Sequence, residues 1–210
     1  MKDMRQRLPV VCGDKGHPCK QITRGLEAAV PGMFEFDPVG ALASDTLDDT
    51  ALLVVAKSNA PYANNGTPWL TPEDGELVRK FVSTGGGLLV LHAGTVGNPP
   101  GTAMRSLVGG AFHHHAEICD VSLEPVEGHP LAQGVEPSTV WDEHYFVDTD
   151  EGIDVFLYSR SPEGVQPAGW TKTVGQGRVY VLTPGHTEAA WVHPGFQDLI
   201  RRGLSWLQKV

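Results

Sequence analysis

The chain has 210 residues, of which 40% are hydrophobic and 20% are charged, as in an ordinary soluble globular protein, and this length suits one domain over residues 1–210. Its 16 basic and 25 acidic residues give a net charge of −9 without any basic run, so nucleic acids and anionic membranes are poor candidate partners. No apolar stretch approaches the roughly 18 residues of a membrane span, and the charged start lacks an apolar segment after it, so we expect a cytoplasmic protein.

The three cysteines are Cys12, Cys19 and Cys119. Their number is odd, and no C-x-x-C pair is present, which favours neither a disulfide framework nor a cysteine zinc site. Cys12 and Cys119 lie in apolar runs and are predicted to be inert core residues. Cys19 lies beside a predicted loop.

In chain order, the apolar run at residues 8–12 predicts a first strand, and residues 13–17 predict a loop that ends at His17. Pro18 fits the first turn of the following helix, because an N–H at that position would have no helical partner. His17 therefore lies where a strand end meets the beginning of a helix, which is a position that can face a ligand.

Residues 34–37 and 50–56 predict two more strands, and a polar loop containing Tyr62 follows the second. Thr71, followed by proline and two acids, is typical of the beginning of a helix, which the glycines at 85–87 would end. These glycines lack the spacing of a phosphate loop, so no nucleotide cofactor is expected.

Four consecutive apolar residues after those glycines predict a strand buried on both faces, with His92 at its C-terminal end. The remaining elements are a loop at 95–102, a helix at 104–108, strands at 117–123, 155–159, 165–170 and 178–182, and a closing helix from residue 194. This alternation predicts an α/β fold with a mostly parallel sheet and antiparallel C-terminal strands.

Histidines and carboxylates follow several of these strands, and in open α/β sheets ligands bind at the carboxyl ends of the strands. The candidates are His17, His92, Glu143, His186 and one of the three adjacent histidines, His113, His114 and His115. Neighbours in an extended segment point to opposite faces, so we expect one of the three in the site and two on the surface. Imidazoles with a carboxylate suit either a divalent metal such as zinc or an acid/base set, and the sequence leaves both open.

Several short motifs occur in a recognisable order: LVLHAG at 89–94, VGGAF with three histidines at 108–115, GHPL at 128–131, DEHY at 142–145 and PGH at 184–186. Together they resemble the ThuA-like family, known from trehalose utilisation, and the resemblance extends from residue 10 to residue 206. It implies a flavodoxin-like three-layer sandwich of the class I glutamine amidotransferase-like type. It also implies a role in sugar catabolism, with oxidised (3-keto) disaccharides or glycosides as substrates.

The nucleophilic cysteine of the amidotransferases occupies the strand-end elbow, where this chain has His92. His186 and Glu188 are similar to the His-x-Glu pair of those enzymes. A base and its orienting acid cannot form a thioester without a thiol, so glutaminase activity should be absent.

The expected function is therefore an enzyme, a hydrolase or an isomerase, that acts on a sugar derivative, with His92 and His186 as acid/base groups or as ligands of a metal. The residues assigned to catalysis are His92, His186, Glu143 and Glu188. The residues assigned to substrate binding are His17, Tyr62, Thr95, Trp141 and Tyr145. The residues assigned to the metal are His92, His115 and His186.

Two other classes of function stay open at this point. One is a non-catalytic domain that binds a sugar or a partner on an amidotransferase-like scaffold without the nucleophile. The other is a metal-independent hydrolase or isomerase that uses only His186, Glu188 and Glu143. A homo-oligomer is compatible with each of them.

Overall fold

The computed structural model describes residues 5–43 and 45–208. The strands in these ranges are β1 (Gln6–Val11), β2 (Phe34–Val39), β3 (Leu52–Val55), β4 (Gly87–Leu91), β5 (Gly110–His115), β6 (Cys119–Pro125), β7 (Ser138–Asp142), β8 (Tyr145–Thr149), β9 (Asp154–Ser161), β10 (Gly164–Val174) and β11 (Gly177–Leu182). The α-helices are α1 (Cys19–Ala29), α2 (Pro72–Ser83), α3 (Ala103–Val108), α4 (Glu188–Val192) and α5 (Pro194–Gln208). None of the described helices is long and apolar enough to cross a membrane.

Nine of the strands form one mixed sheet in the order β2-β1-β3-β4-β11-β10-β9-β6-β7. The first five are parallel to one another, and the next four are joined by antiparallel pairing. Strands β5 and β8 form a separate antiparallel pair. The predicted α/β fold and the antiparallel C-terminal strands are confirmed, whereas the flavodoxin-like detail stays a prediction.

Strand β4 lies between two hydrophobic cores, one on each face of the sheet. Leu89 and Leu91 pack into the core that α1, α4 and α5 help to form, and Leu88 and Val90 pack into the core shared with α2 and α3. All four side chains are completely buried. The continuous apolar run is thus explained by helices on both faces, because neither face of β4 meets water.

The chain turns sharply where β4 ends. His92 adopts a left-handed φ of 41°, which is uncommon for a residue other than glycine. Two residues later, a Cβ atom at Gly94 would lie 2.4 Å from the carbonyl oxygen of Val55, so only glycine fits this close approach to β3. The elbow therefore holds His92 in one fixed position at the carboxyl edge of the sheet.

The expectation that the cysteines form no disulfide is wrong. Cys12 follows β1, Cys19 begins α1, and the two are joined by a disulfide across a sequence separation of seven residues. The loop at 13–18 turns back at the strand end and brings the two Cα atoms within 5.1 Å of each other, a proximity that counting cysteines does not reveal. Cys12 is buried in the core as predicted, whereas Cys119 is free, half-buried and packed against that core.

Replacing both bonded cysteines, Cys12→Ser with Cys19→Ser, is expected to lower the free energy of unfolding by about 2.5 kcal/mol, the chain-entropy value for so short a loop. Urea denaturation of the non-reduced proteins measures the change, and Cys119→Ser is the matched control. Equal stability of the double variant and the control would contradict the disulfide.

Candidate functional site

Three histidines meet at the carboxyl ends of the parallel strands. His17 follows β1, His92 follows β4 and His186 follows β11. One nitrogen from each of these rings lies within 4.8 Å of the others, although the residues are distant in the sequence. We call these three residues the histidine cluster.

The loop between β1 and α1 fixes the ring of His17 through Asp14. His17 Nδ1 lies 2.7 Å from Asp14 Oδ1, and Asp14 Oδ2 accepts the backbone N–H of Ser58 at 2.8 Å. Burial alone would raise the pKa of Asp14, but the hydrogen bond and charge of His17, with two backbone amides, lower it below its ordinary value. The ionised carboxylate therefore accepts a hydrogen bond from Nδ1–H, and Nε2 of His17 faces the cluster.

The ring of His92 is likewise fixed by a hydrogen-bond acceptor at its Nδ1 atom. Its Nδ1 lies 2.7 Å from the carbonyl oxygen of Thr183, so this nitrogen carries a proton and donates a hydrogen bond to that oxygen. The opposite atom, Nε2, is buried and has no hydrogen-bond partner among the described residues. It lies 3.4 Å from Glu143 Oε2, a separation that suits a proton or a cation between the two atoms.

Asp142 positions His186. Its carboxylate is completely buried and accepts the backbone N–H groups of Gly185, His186 and Thr187 at 2.6, 3.0 and 2.9 Å. Gly185 has a φ of +131°, which side-chain-bearing residues rarely adopt, so the loop conformation itself requires glycine here. The result is that His186 Nδ1 lies 3.2 Å from His17 Nε2 and 3.5 Å from Glu143 Oε2.

Glu143 is the carboxylate of the site. Burial would raise its pKa, but the contact and charge of His92, followed by the charges of His186 and His115, lower it below the ordinary value. Burial also lowers the pKa of His186, which favours a neutral ring near pH 7. The site therefore combines an ionised carboxylate with imidazoles whose free nitrogens point towards it.

A cavity of about 220 Å³ opens beside the cluster. Its lining consists of Lys15, Gly16, His17, Ser58, Tyr62, Ala63, Val96, Phe112, His115, Glu143, Tyr145 and His186. We call it the histidine cavity. The ring of Tyr145 stacks on His92 with 4.0 Å between the centroids, and burial raises the pKa of Tyr145, so its phenol stays protonated.

The three adjacent histidines have different environments. All three are exposed, but His115 also lines the cavity, with its Nε2 3.6 Å from Glu143 Oε1, whereas His113 and His114 contact each other. A register shift between Phe112 and His114 interrupts the regular alternation of β5. His115 thus lies beyond Glu143, and His17 takes the place in the compact cluster that the sequence analysis assigns to His115.

Three other residues assigned from the sequence do not line the cavity. Thr95 is completely buried, and its hydroxyl donates to the carbonyl of His92. Trp141 is 52% exposed on the edge strand β7, and Glu188 is exposed at the start of α4. Within the described residues, the carboxylate in contact with His186 is Glu143, so the His-x-Glu pair of the amidotransferases is not formed here.

Sequence reasoning missed Asp14 and Asp142, the two carboxylates that hold the histidine loops. For Asp14 a signal existed, because an aspartate three residues before His17 in a glycine-rich loop can accept backbone amides as an Asx turn does. For Asp142 no local signal existed, since its partners lie more than 40 residues away.

A family model described as ThuA, trehalose utilisation, matches residues 27–207. The chain belongs to the ThuA family. The resemblance noted in the sequence is thereby confirmed, and it connects the protein with carbohydrate utilisation. No curated protein matches this sequence.

Solved structures with low sequence identity share the fold. A ThuA-like protein from Parabacteroides merdae is 17% identical, with a TM-score of 0.79 over 98% of this chain and 90% of the other. A ThuA-like protein from Bacteroides uniformis is 14% identical, with a TM-score of 0.74 over 99% and 93%. A β-galactosidase from a Rahnella species is 14% identical, with a TM-score of 0.67, and the match covers 96% of this chain but 31% of that enzyme.

The role of Asp142 can be measured directly. Asp142→Asn is expected to lower the free energy of unfolding by about 2–3 kcal/mol, because an amide cannot replace both charged oxygens that accept backbone N–H groups. Urea denaturation measures the change, with the exposed Asp120→Asn on the neighbouring strand β6 as the control. Two variants of equal stability would show that the three hydrogen bonds do not hold the loop.

Proposed function

We propose that this ThuA family protein is an enzyme of carbohydrate utilisation that converts a sugar derivative by hydrolysis or isomerisation, with a divalent metal of zinc type held by the histidine cluster. The observation that carries the proposal is the buried Nε2 atom of His92, which has no hydrogen-bond partner in the described part of the chain and faces Glu143 at 3.4 Å. The Nε2 lone pair and the carboxylate repel each other at this distance unless a proton or a metal cation lies between them.

A proton on His186 does not remove the repulsion between His92 Nε2 and Glu143. His186 Nδ1 can donate to His17 Nε2 or to Glu143, at 3.2 and 3.5 Å, but His92 Nε2 still lacks a donor. A single metal ion can satisfy all of these atoms at once. Ligand atoms at a tetrahedral zinc ion are separated by roughly 3.4 Å, since zinc–nitrogen bonds are about 2.0–2.1 Å long.

The hydrogen-bond acceptors at the Nδ1 atoms of His17 and His92 also fit a metal site. Histidines that bind metals usually donate their second ring N–H to a carboxylate or a backbone carbonyl, which fixes the tautomer and orients the ring. Asp14 does this for His17, and the carbonyl of Thr183 does it for His92. The donor set of imidazoles with one carboxylate is one that zinc binds readily.

When bound, such an ion would polarise a carbonyl or hydroxyl oxygen of the substrate. The ionised Glu143 faces the histidine cavity and is available to take a proton from a hydroxyl group, a water molecule or a carbon next to a carbonyl. Tyr145 remains a neutral phenol that can donate a hydrogen bond to a substrate oxygen. Tyr62, which is 70% exposed, lies at the rim and can stack on a sugar face.

A second candidate function is a non-catalytic domain that binds a sugar or a partner. It is favoured by the similarity to about a third of a β-galactosidase chain, because the same fold then occurs as one part of a larger sugar-processing enzyme. Fold similarity alone does not assign chemistry. Saturable binding of a sugar without turnover, by protein that contains metal, would favour this alternative.

The variant His92→Ala tests the enzyme proposal. Metal content and turnover of a sugar derivative are expected to fall by on the order of 100-fold, a typical loss for a positioned ligand or acid/base group. The free energy of unfolding should change by no more than roughly 2 kcal/mol, below the cost of a large core cavity. Elemental analysis of the purified proteins, with a screen of ordinary and oxidised disaccharides, measures both effects.

The matched control is His113→Ala, which removes an exposed histidine outside the cluster and should change neither quantity. Wild-type metal content and activity in His92→Ala would refute the proposal. Full activity after exhaustive chelation would instead support a metal-independent enzyme based on Glu143 and His186.

A further inference from the structure

A second cavity of about 500 Å³ is lined in part by the residues just before His17. Its lining consists of Gly13, Asp14, Lys15, Gly40, Ala41, Lys57, Ala63, Asn64, Asn65, Thr67, Pro68 and Trp69. We call it the lysine cavity. It shares Lys15 and Ala63 with the histidine cavity, and the two cavities meet where the backbone N–H of Lys15 donates to the carbonyl of Ala63 at 3.2 Å.

Lys57 is the unusual group in this cavity. The residue is only 8% exposed, and its ammonium donates to the carbonyl of Gly40 at 2.6 Å. Because Gly40 also lines the cavity, this contact places the ammonium at the wall. Among the described residues, no carboxylate lies within 4 Å of it, and a buried charge without a partner is costly. Such a group is a candidate for ligand binding.

The one acidic group of the lining, Asp14, attracts the charge of Lys57 but lies more than 4 Å from its ammonium. Its Oδ1 accepts the backbone amides of Gly16 and His17 and the ring of His17, and its Oδ2 accepts the amide of Ser58. Both carboxylate oxygens of Asp14 are therefore already engaged by N–H donors. The carbonyl of Gly40 accepts a hydrogen bond from one of the three ammonium protons of Lys57, and the other two can be donated to a ligand.

The other polar groups of the lining are mainly donors. The side chains of Lys15, Asn65 and Thr67 make no hydrogen bond within the described part of the chain. The indole N–H of Trp69 is buried and likewise lacks a partner there. Two lysines together with hydroxyl and amide donors suit an anionic oxygen group, which accepts several hydrogen bonds at once.

We propose that the lysine cavity binds the phosphate or carboxylate group of an anionic sugar derivative whose sugar ring occupies the histidine cavity. This inference rests on the proposed function and names the substrate class for it. Lys57 supplies the positive charge, and Lys15, Asn65 and Thr67 supply further donors around the anionic group.

The test is calorimetric titration of the purified protein with three probes: glucose-6-phosphate, glucuronate and glucose. We expect at least one of the two charged probes to bind roughly tenfold or more tightly than glucose, the gain of a charge-assisted contact. A preference for the phosphate ester identifies a phosphoryl group as the ligand, and a preference for glucuronate identifies a carboxylate. Equal affinity for all three probes, or no binding of either charged probe, would overturn the proposal.

The variant Lys57→Met should remove this advantage and leave glucose binding unchanged. Lys80→Met, on an exposed surface of α2, is the control for the same change of charge. Lys57→Met also leaves the Gly40 carbonyl without its donor. The variant Lys15→Met, at an exposed position, therefore provides a second measurement of anion binding that does not disturb a buried contact. Loss of glucose binding in parallel with the charged probe would contradict a role for Lys57 in anion binding.

Metal analysis of the same samples separates this inference from the proposed function. A preference for anions in protein that holds no metal would refute the metal proposal and support the anion site. Stoichiometric metal without any preference for anions would support the metal proposal and refute the anion site.

Discussion

The central constraint in this protein is the convergence of imidazole lone pairs and one carboxylate in a buried place. His17 and His92 are each held from behind by an acceptor, which fixes the proton on Nδ1 and leaves Nε2 facing the cluster. Glu143 lies within 3.5 Å of His92 and His186. A proton or a metal cation between these groups would stabilise the arrangement, and much of the surrounding structure serves to keep them in place.

The parallel half of the sheet explains why three distant residues meet. Strands β1, β3, β4 and β11 are neighbours, so the loops after β1, β4 and β11 all leave at the same edge. The disulfide between Cys12 and Cys19 closes the first of these loops, the strained elbow at His92 shapes the second, and Asp142 anchors the third. Each loop is thus held by a different kind of interaction.

The sequence predicts much of this framework, because buried strands appear as apolar runs and the histidines follow them directly. His92 after β4 is the clearest example. What it does not predict depends on the path of loops: the disulfide, the hydrogen bonds of Asp14 and Asp142, and the register shift in β5 that changes which of the adjacent histidines faces Glu143. These features arise from contacts between segments, for which local periodicity carries no signal.

The most direct test of the metal proposal is anomalous diffraction at the zinc edge from crystals of the protein grown with zinc. We predict one strong peak among His17, His92 and His186, with zinc–nitrogen bonds of about 2.0–2.1 Å to the ring nitrogens. A peak at another place, or no peak while Nε2 of His92 remains in direct contact with Glu143, would contradict it.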